Sequence, residues 1–360
     1  MRFVMFYHSL VSDWNHGNAH FLRGIAAELT RRHHEVIVYE PRGGWSCSHL
    51  IRDHGREPIQ EFQACYPTLK SRFYELHSLD LDAALDAADV ALVHEWNPAE
   101  LIAAIGRHRS KSNAYRVFFH DTHHRGVSEA DGFGAAQLLH YDGALVFGES
   151  LREVYQKKRW TNHVRVWHEA ADTTVFNIRE CGTKEGELVW IGNWGDGERT
   201  AELTEYLLNP NHIAGFRSKA FGVRYPERAR QKFSKAGFEY GGWLPNFRVP
   251  EMFSKFLMTV HIPRRPYRDE LPGIPTIRVF EALACGIPLV CSPWSDCENL
   301  FSPGKDYLIA RNGNEMTEIM RELSTNSQLR RDIAEHGRAT IERRHTCRHR
   351  VDELLEMIRQ

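Results

Sequence analysis

One carboxylate, Glu281, lies inside an otherwise apolar stretch, "LPGIPTIRVFEALACGIPLV" from Leu271 to Val290. From Thr276 onward the apolar residues recur at helical spacing and Gly286 follows them, so the stretch predicts a helix that ends at this glycine. A carboxylate close to the packed face of a helix must find partners or lose its charge. Glu281 is therefore expected either to pair with a protein group such as Arg278 or to receive a ligand.

Four ionisable residues stand together in "FFHDTHH", at the end of an apolar strand pattern: His120, Asp121, His123 and His124. Groups of these types could contact a sugar, transfer protons or hold a metal ion. The alternative is a polar loop whose histidines bond to the backbone. A metal is disfavoured because histidines so close together cannot all face one ion, and no second set of ligands accompanies them.

Two loops that contain glycine follow strand patterns and could approach an anion closely. Gly17 precedes a helix in "SLVSDWNHGNAHFLRG", and Gly192 opens "GNWGDGER", in which Arg199 begins the next helix. Glycine permits close approach of the backbone, a helix N-terminus favours phosphate, and the arginine fork suits a diphosphate. The alternatives are an ordinary strand-to-helix turn at Gly17 and a solvent-facing side chain at Arg199.

A run of cations precedes Glu281. The segment "HIPRRPYRDELPGIPTIRVFEA" contains Arg264, Arg265, Arg268 and Arg278 after a strand pattern. Four cations so near the head of a helix predict an anion site at the end of a strand, and some of the four are expected to be surface charges only.

The composition indicates a globular protein of two domains without a charge bias. The chain has 360 residues, and this length is more than one ordinary hydrophobic core covers. Its apolar share of 42% is that of a globular protein. Forty-six Lys and Arg against 47 Asp and Glu give a net charge of −1, so we expect no nucleic-acid partner and no pull toward an anionic membrane. Seven cysteines without C-x-x-C pairing favour reduced thiols in the cytoplasm. No signal peptide or membrane span is expected, and hence no integral membrane contact.

Strand and helix patterns alternate along the chain, which indicates an α/β protein with mostly parallel sheets. One series of strands is "RFVMFY", "EVIVYE", "VALVHE", "YRVFFH" and "GALVFG", and a second is "ELVWIGN", "LMTVHIP", "IPLVC" and "DYLIA". We predict two Rossmann-like, doubly wound domains that face each other across a cleft at the carboxyl ends of their strands. Their predicted bounds are 1–168 and 177–344, and a C-terminal helix in 345–360 is a candidate to pack on the first domain.

Several stretches of the sequence resemble a known protein family. "TIRVFEALACGIPLV" with "ENLFSPGKDYLIA" is similar to the nucleotide-binding half of glycosyltransferases of the GT-B fold, in the broad group resembling family 4, and nearest to the branch of spore-maturation CgeB-like proteins. "RVWHEAADTTVF" resembles that group's interdomain segment, and "HGNAHFLRGIAAELTRRHHEVIVYE" its opening loop, helix and strand. The resemblance implies a nucleotide-sugar donor on the second domain and an acceptor on the first.

The resemblance also implies roles for particular residues. Glu281 falls where the group's glutamate accepts hydrogen bonds from ribose hydroxyls, which suits a carboxylate with two acceptor oxygens. Arg199 falls at the pyrophosphate, and Asn193 stands where many members have a second arginine. His120, with Asp121 beside it, is the candidate catalytic group near the donor sugar. The other implied donor-binding residues are Gly17 at the diphosphate, Gly242 and Trp243 near the base, and Gly192, Arg265, Gly273, Ile274, Pro275, Thr276 and Arg278.

Gly273 departs from the group's pattern, because retaining members often have a glutamate at this position. The role of that glutamate is then absent, or is taken by Glu270, Asp269 or backbone N–H groups, and the stereochemical outcome is open. We predict a cytoplasmic, metal-independent, hexosyltransferase-like glycosyltransferase without a cofactor, which moves a sugar from a nucleoside diphosphate donor to an unidentified acceptor. The alternatives are a nucleotide-sugar epimerase or phosphorylase on the same fold, or a non-catalytic nucleotide-sugar-binding protein.

Overall fold

The computed structural model describes residues 1–128, 134, 137–161, 163–195 and 197–359. The chain divides into two compact units. The first consists of Met1–Glu169 and Cys347–Gln360, and the second of Ala170–Thr346. In the described part of the chain, no helix combines the length and the apolar character that a membrane span requires.

The first unit is built on a sheet of parallel strands. Its strands are β1 (Arg2–Phe6), β2 (Glu35–Pro41), β3 (Ser71–Tyr74), β4 (Val90–His94), β5 (Arg116–Asp121), β6 (Gly143–Val146) and β7 (Val164–Val166). They lie in the order β3-β2-β1-β4-β5-β6-β7. The central strands are buried along almost their whole length, because helices cover both faces of such a sheet. The helices are α1 (Ala19–Arg31), α2 (Trp45–His54), α3 (Glu57–Cys65), α4 (Leu81–Leu85), α5 (Ala99–Lys111), α6 (Arg125–Ser128) and α7 (Glu149–Lys158).

The second unit repeats this architecture. Its strands are β8 (Gly186–Ile191), β9 (Ser218–Phe221), β10 (Phe238–Gly242), β11 (Phe256–His261), β12 (Leu289–Cys291) and β13 (Leu308–Ile309). They are parallel and lie in the order β10-β9-β8-β11-β12-β13. The helices are α8 (Thr200–Leu203), α9 (Asn209–Ala214), α10 (Glu227–Lys235), α11 (Val249–Ser254), α12 (Ile277–Ala284), α13 (Gly313–Thr325) and α14 (Ser327–Arg344).

The strand order of each sheet reverses once. The chain builds one half of each sheet outward from the centre and then returns to the centre to build the other half, between β1 and β4 in the first unit and between β8 and β11 in the second. Open α/β sheets bind ligands at the carboxyl ends of the strands beside such a reversal. The topology therefore marks one candidate edge in each unit.

The last helix, α15 (Cys347–Arg359), belongs to the first unit. The buried side chain of Arg350 donates a hydrogen bond from Nε to the carbonyl oxygen of His168 at 2.9 Å. In return the indole Nε1 of Trp167 donates to the carbonyl oxygen of Arg350 at 2.9 Å. These bonds join the helix to the end of the chain segment that builds the sheet.

Nine of the strands match the predicted patterns, and β3, β7, β9 and β10 were not predicted. These four strands have three to five residues, and β3, β7 and β10 are edge strands that carry charged or small residues instead of an apolar run. The helix that the sequence predicts to begin at Arg199 contains a π-helical turn at Thr204–Leu208, which separates α8 from α9.

A buried cation, Arg23 on α1, holds the loop that follows β1. Its guanidinium pairs with Asp13 at 2.8 Å and donates to the carbonyl oxygens of Leu10 at 2.8 Å and Val11 at 3.1 Å. It also lies 4.8 Å above the ring of Phe62. One guanidinium, whose side chain is fully buried, thus binds three residues of this loop.

We expect Arg23→Met to lower the free energy of unfolding by about 3 to 5 kcal/mol, because Asp13 would be left as a buried charge without this partner. Arg31→Met is the matched control on the same helix. Its side chain is 62% exposed and its ion pair with Glu28 should contribute less than about 1 kcal/mol. Urea unfolding followed by circular dichroism measures both. Equal losses in the two variants would contradict the anchoring role of Arg23.

Candidate functional site

The second unit brings most of the predicted donor residues to one edge of its sheet. The loop from Gly192 to Arg199 follows β8, and the segment from Ile262 to Arg268 follows β11. These are the two strands between which the strand order reverses. Because parallel strands end at the same edge, the two segments and the start of α12 can act on one ligand.

Glu281 on α12 is fully buried and has protein partners for both carboxylate oxygens. The side-chain Nδ2 of Asn246 donates to Oε1 at 2.7 Å, and Arg278 donates to Oε2. The pairing with Arg278, one of the two alternatives for this carboxylate, is therefore present in the structure. Asn246 lies in a short turn just before α11 and had no sequence signal of its own.

The start of α12 is tied to the end of β11. Thr276 is the residue before the helix, and its hydroxyl lies 3.0 Å from Nε2 of His261, the last residue of β11. Burial, and then the nearby charge of Arg199, lower the pKa of His261 to about 3, so the imidazole is neutral. Its Nδ1 is buried and has no hydrogen-bond partner among the residues the structure describes.

Gly273 adopts a backbone conformation that glycine tolerates best. Its φ is +89°, and a Cβ atom at this position would lie 2.3 Å from the Sγ of Cys297. A glutamate here would therefore require the neighbouring loop to move. The backbone at position 273 thus fits glycine as the neighbouring loop now stands. The following Ile274 and Pro275 are buried and lead directly into Thr276.

Arg199 precedes α8 and is the one arginine of this edge that has no carboxylate partner in the described part of the chain. Its two terminal nitrogens donate to the carbonyl oxygens of Ile262, at 3.0 Å, and of Asn193. Its Nε is buried without a partner, and the guanidinium lies 5.1 Å above the ring of Trp190. Burial, and then the charge of Arg264, lower the pKa of Arg199 to about 9.

The other arginines of the predicted anion site are paired. Arg264 contacts Glu198 at 2.6 Å, and Arg265 lies 3.5 Å from Glu202. Arg268 contacts Asp269 at 2.6 Å and is exposed, as expected for a surface charge. Arg278 is paired with Glu281. Among the described residues, Arg199 is therefore the arginine of this edge that makes no ion pair, although the charge of Glu198 acts on it from nearby.

The loop after β8 is held by contacts with neighbouring segments. The side-chain Oδ1 of Asn193 accepts a hydrogen bond from the backbone N–H of Val223 at 2.9 Å. The carbonyl oxygen of Gly192 accepts one from the hydroxyl of Tyr225 at 2.7 Å, and a Cβ at Gly192 would lie 2.7 Å from the ring of Trp190. Asp196 of the same loop lies outside the described residues.

The predicted base-pocket residues lie at the opposite side of β8, after β10. Gly242 ends this strand with φ +71°, and its carbonyl oxygen accepts a hydrogen bond from the N–H of Gly222 at 2.8 Å. Trp243 follows it and is partly exposed. Val223, the residue after Gly222, donates its backbone N–H to the side chain of Asn193. The end of β10 and the loop after β8 are therefore connected at this edge of the sheet.

In the first unit, His120 and Asp121 end β5 and point to opposite faces, as successive strand residues do. Nδ1 of His120 lies 2.7 Å from the hydroxyl of Tyr7, and its Nε2 is buried with no partner within the described residues. Asp121 accepts hydrogen bonds from the hydroxyl of Tyr155 at 2.7 Å and from the N–H of His123 at 3.1 Å. Burial lowers the pKa of His120 to about 3 and raises that of Asp121 to about 6.

The histidines of "FFHDTHH" are part of a larger cluster that sequence reasoning missed. His8 follows β1, His94 ends β4, and their rings lie 5.4 Å apart, while the rings of His94 and His120 lie 5.5 Å apart. The signal was available, since "FYH" and "LVH" each place a histidine directly after an apolar strand. Among the described residues, no group of three or more His, Cys, Asp or Glu side chains is arranged to hold a metal ion.

Gly17 precedes α1 at the same edge of the first unit. Its carbonyl oxygen accepts a hydrogen bond from the N–H of His20 at 3.3 Å. The next residue, Asn18, uses its side-chain Nδ2 to contact Nε2 of His94 and the hydroxyl of Thr122, both at 3.1 Å. Asn18 therefore joins the loops that follow β1, β4 and β5.

Residues 199–356 match a protein-family model described as glycosyl transferase-like. No curated protein sequence is significantly similar to the chain. Three solved structures align with 100% of both chains: α-glucosyltransferase (AGT) in complex with UDP at a TM-score of 0.72 and 13% identity, Anabaena Alr3699/HepE in complex with UDP and glucose at 0.67 and 12%, and the DNA modifying enzyme β-glucosyltransferase at 0.64 and 14%.

These alignments show that the chain has the GT-B fold, as predicted. The resemblance to GT-B glycosyltransferases is confirmed, with the match to the family model concentrated in the second half of the chain. The CgeB-like branch and the roles of individual site residues stay predictions.

Buried neutral histidines should make stability sensitive to acid. Burial lowers the pKa of His16 from 6.5 to about 4, so between these values the unfolded chain binds a proton that the folded chain does not. Stability is then lost as the pH falls through this window, by about 1.4 kcal/mol per pH unit for this group. We expect His16→Gln to reduce the slope of unfolding free energy between pH 6 and 5 by about this amount. His77→Gln, an exposed control, should leave it unchanged, and an unchanged slope in His16→Gln would contradict the assignment.

Proposed function

We propose that this protein is a glycosyltransferase whose second unit binds a nucleoside diphosphate sugar and which transfers the sugar to an acceptor. The GT-B fold and the glycosyl transferase-like second half support this class of reaction. The observation that carries the proposal is the position of Arg199, which makes no ion pair among the described residues, beside the reversal of strand order. Solved neighbours of the same fold contain UDP, which makes UDP the first probe.

A bound diphosphate would supply the charge that Arg199 lacks. A buried cation without a countercharge is costly, and an anion placed beside it recovers that cost. The charges of Arg264 and Arg278 also act on Arg199 and oppose that of Glu198, and the effect of Arg264 is the largest of the three. Backbone N–H groups of a loop that contains Gly195 and Gly197, both with positive φ, suit the same ligand.

Glu281 and Thr276 are proposed to contact the nucleoside end of the donor. The contacts from Asn246 and Arg278 fix the carboxylate of Glu281 in place, and each carboxylate oxygen can accept more than one hydrogen bond. A carboxylate held in this way is oriented before the ribose arrives, which reduces the cost of ordering on binding.

The proposed chemistry is stabilisation of the leaving diphosphate by fixed protein charges. As the bond between sugar and diphosphate breaks, negative charge grows on the phosphate oxygens, and Arg199 with the loop N–H groups would stabilise it. The proposal assigns no step to a metal ion. His120 is proposed to act near the donor sugar, and because its imidazole is neutral it can accept or donate a hydrogen bond there.

The proposal is tested by calorimetry with UDP and UDP-glucose, followed by an assay for UDP release with and without candidate acceptors. Donor binding with acceptor-dependent release supports a glycosyltransferase. Release that needs inorganic phosphate, or a changed sugar without an acceptor, indicates a phosphorylase or an epimerase. Binding without any turnover, including slow hydrolysis, indicates a binding protein. Absence of binding for UDP and for the other nucleoside diphosphates would refute the proposal.

Glu281→Gln should weaken UDP binding about tenfold or more, because it replaces a charge-assisted acceptor by a neutral amide. The amide oxygen can still accept from Asn246, so the fold should survive. Calorimetry and thermal melting on one preparation separate the two effects. Unchanged UDP affinity with a much lower melting temperature would show that Glu281 serves only its own unit.

Turnover should survive exhaustive treatment with EDTA, whereas Arg199→Met should weaken UDP binding by about 1.5 to 3 kcal/mol. Arg268→Met is the control, since this exposed arginine is paired with Asp269. Loss of turnover on chelation, restored by Mn²⁺ or Mg²⁺ and accompanied by little effect of Arg199→Met, would assign the neutralisation to a metal instead.

A further inference from the structure

Aromatic rings line the candidate edge of the first unit, at the ends of β1, β2, β4 and β5. We define this ring cluster by seven residues of the loops and helix starts that follow these strands: His8, Trp14, His16, Trp45, His49, Trp96 and His123. None of these rings takes part in the donor site proposed for the second unit. The cluster therefore needs an explanation of its own.

The rings form a continuous series of contacts. Trp14 stacks on His49 with centroids 4.6 Å apart and meets Trp45 at 5.0 Å. His16 lies 5.9 Å from Trp45 and 5.8 Å from Trp96. Trp96 continues the series to His123 at 5.2 Å. Trp45 is 47% exposed and Trp96 is partly exposed, so flat indole surfaces face solvent along the series.

Two histidines of the ring cluster, His8 and His16, are polar and uncharged. Burial, and then the neighbouring His16, lower the pKa of His8 well below its usual range, and the pKa of His16 is lowered to about 4. Both ring nitrogens of His8 are buried with no hydrogen-bond partner in the described ranges. Neutral imidazoles offer one donor and one acceptor each. The cluster thus combines aromatic faces with neutral hydrogen-bonding groups.

We propose that the ring cluster binds the acceptor and that the acceptor is a neutral saccharide. A sugar ring has a face of C–H groups that packs on an indole, and a rim of hydroxyls that donate and accept hydrogen bonds, which matches the two properties of the cluster. This inference rests on the proposed glycosyltransferase function and names the class of its second substrate.

A nucleic acid fits the same surface less well. Bases could stack on the indoles, but the phosphates would need several cations close by. Among the described residues, the loops that follow β1, β2, β4 and β5 and the first turns of the helices after them carry two cations, Arg42 and Arg125. Arg42 lies 3.4 Å from Glu75, and Arg125 is stacked 4.5 Å above the ring of Trp96. The phosphates would therefore find little positive charge here.

An apolar chain is also disfavoured as the occupant. A lipid tail on the cluster would cover the partly exposed imidazole of His16 without giving it a hydrogen-bond partner, which costs free energy. A saccharide hydroxyl can donate to this imidazole or accept from it instead. The rings and the imidazole nitrogens thus favour the same occupant.

The test uses the full chain saturated with UDP and follows tryptophan fluorescence and calorimetry. The probes are neutral trisaccharides (maltotriose, cellotriose and chitotriose), a single-stranded 12-nucleotide DNA and a short-chain alkyl detergent below its micelle concentration. We expect at least one trisaccharide to bind and to change the fluorescence, and we expect Trp45→Ala to weaken that binding about tenfold or more. Trp45→Phe should restore most of the affinity, and Phe73→Ala, an exposed aromatic residue on β3, should have no effect.

Each outcome decides the inference. Preferential binding of the DNA or of the detergent overturns it, as does the absence of trisaccharide binding, or trisaccharide binding that Trp45→Ala leaves unchanged. UDP binding is measured in the same preparation and should be equal in parent and Trp45→Ala. If UDP binds and no trisaccharide does, this inference fails while the proposed function stands. If UDP itself does not bind, the proposed function fails.

Discussion

The positions of the candidate site residues depend on one property of parallel sheets. All strands of such a sheet end, at their carboxyl ends, at the same edge. Because the strand order of each unit reverses once, the two central loops diverge and leave room between them. In the second unit these loops carry Arg199 and the segment that follows His261. In the first unit they carry the neighbours of His8 and His94. Residues far apart in sequence become neighbours for this topological reason.

Arg23 and Arg199 show how differently a fold can treat the same group. Arg23 is surrounded by Asp13 and by carbonyl oxygens, and its contacts fix a loop. Arg199 donates to carbonyl oxygens and makes no ion pair among the described residues, and the charge of Arg264 repels it while that of Glu198 attracts it. A protein interior tolerates a cation of the first kind as part of its structure. A cation of the second kind is better explained by an anion that arrives from solution.

The sequence predicted contacts between residues that are close in the chain, but it did not predict contacts between residues that are far apart in it. The helix around Glu281 and the ion pair with Arg278, three residues away, were predictable because both follow from helical spacing. The contact of Glu281 with Asn246 spans 35 residues and had no local pattern. The histidine cluster joins residues after three strands, so it required the strand order. The strands β9 and β10 were missed because they are short and have mixed composition, so that neighbouring strands and not local propensity determine them.

The return of α15 to the first unit bears on the order in which the chain can fold during synthesis. Residues up to Glu169 leave the ribosome long before residue 347, yet Trp167 and His168 find hydrogen-bond partners on Arg350. The first unit therefore lacks its last helix while the second unit is being translated. During that time the surface on which Arg350 will pack is exposed to solvent. Since the entropic cost of closing a loop grows only slowly with its length, this late step is thermodynamically modest. The late addition of α15 has a kinetic consequence. Until this helix is synthesised, the incomplete first unit is the form of the chain that is accessible to chaperones and proteases.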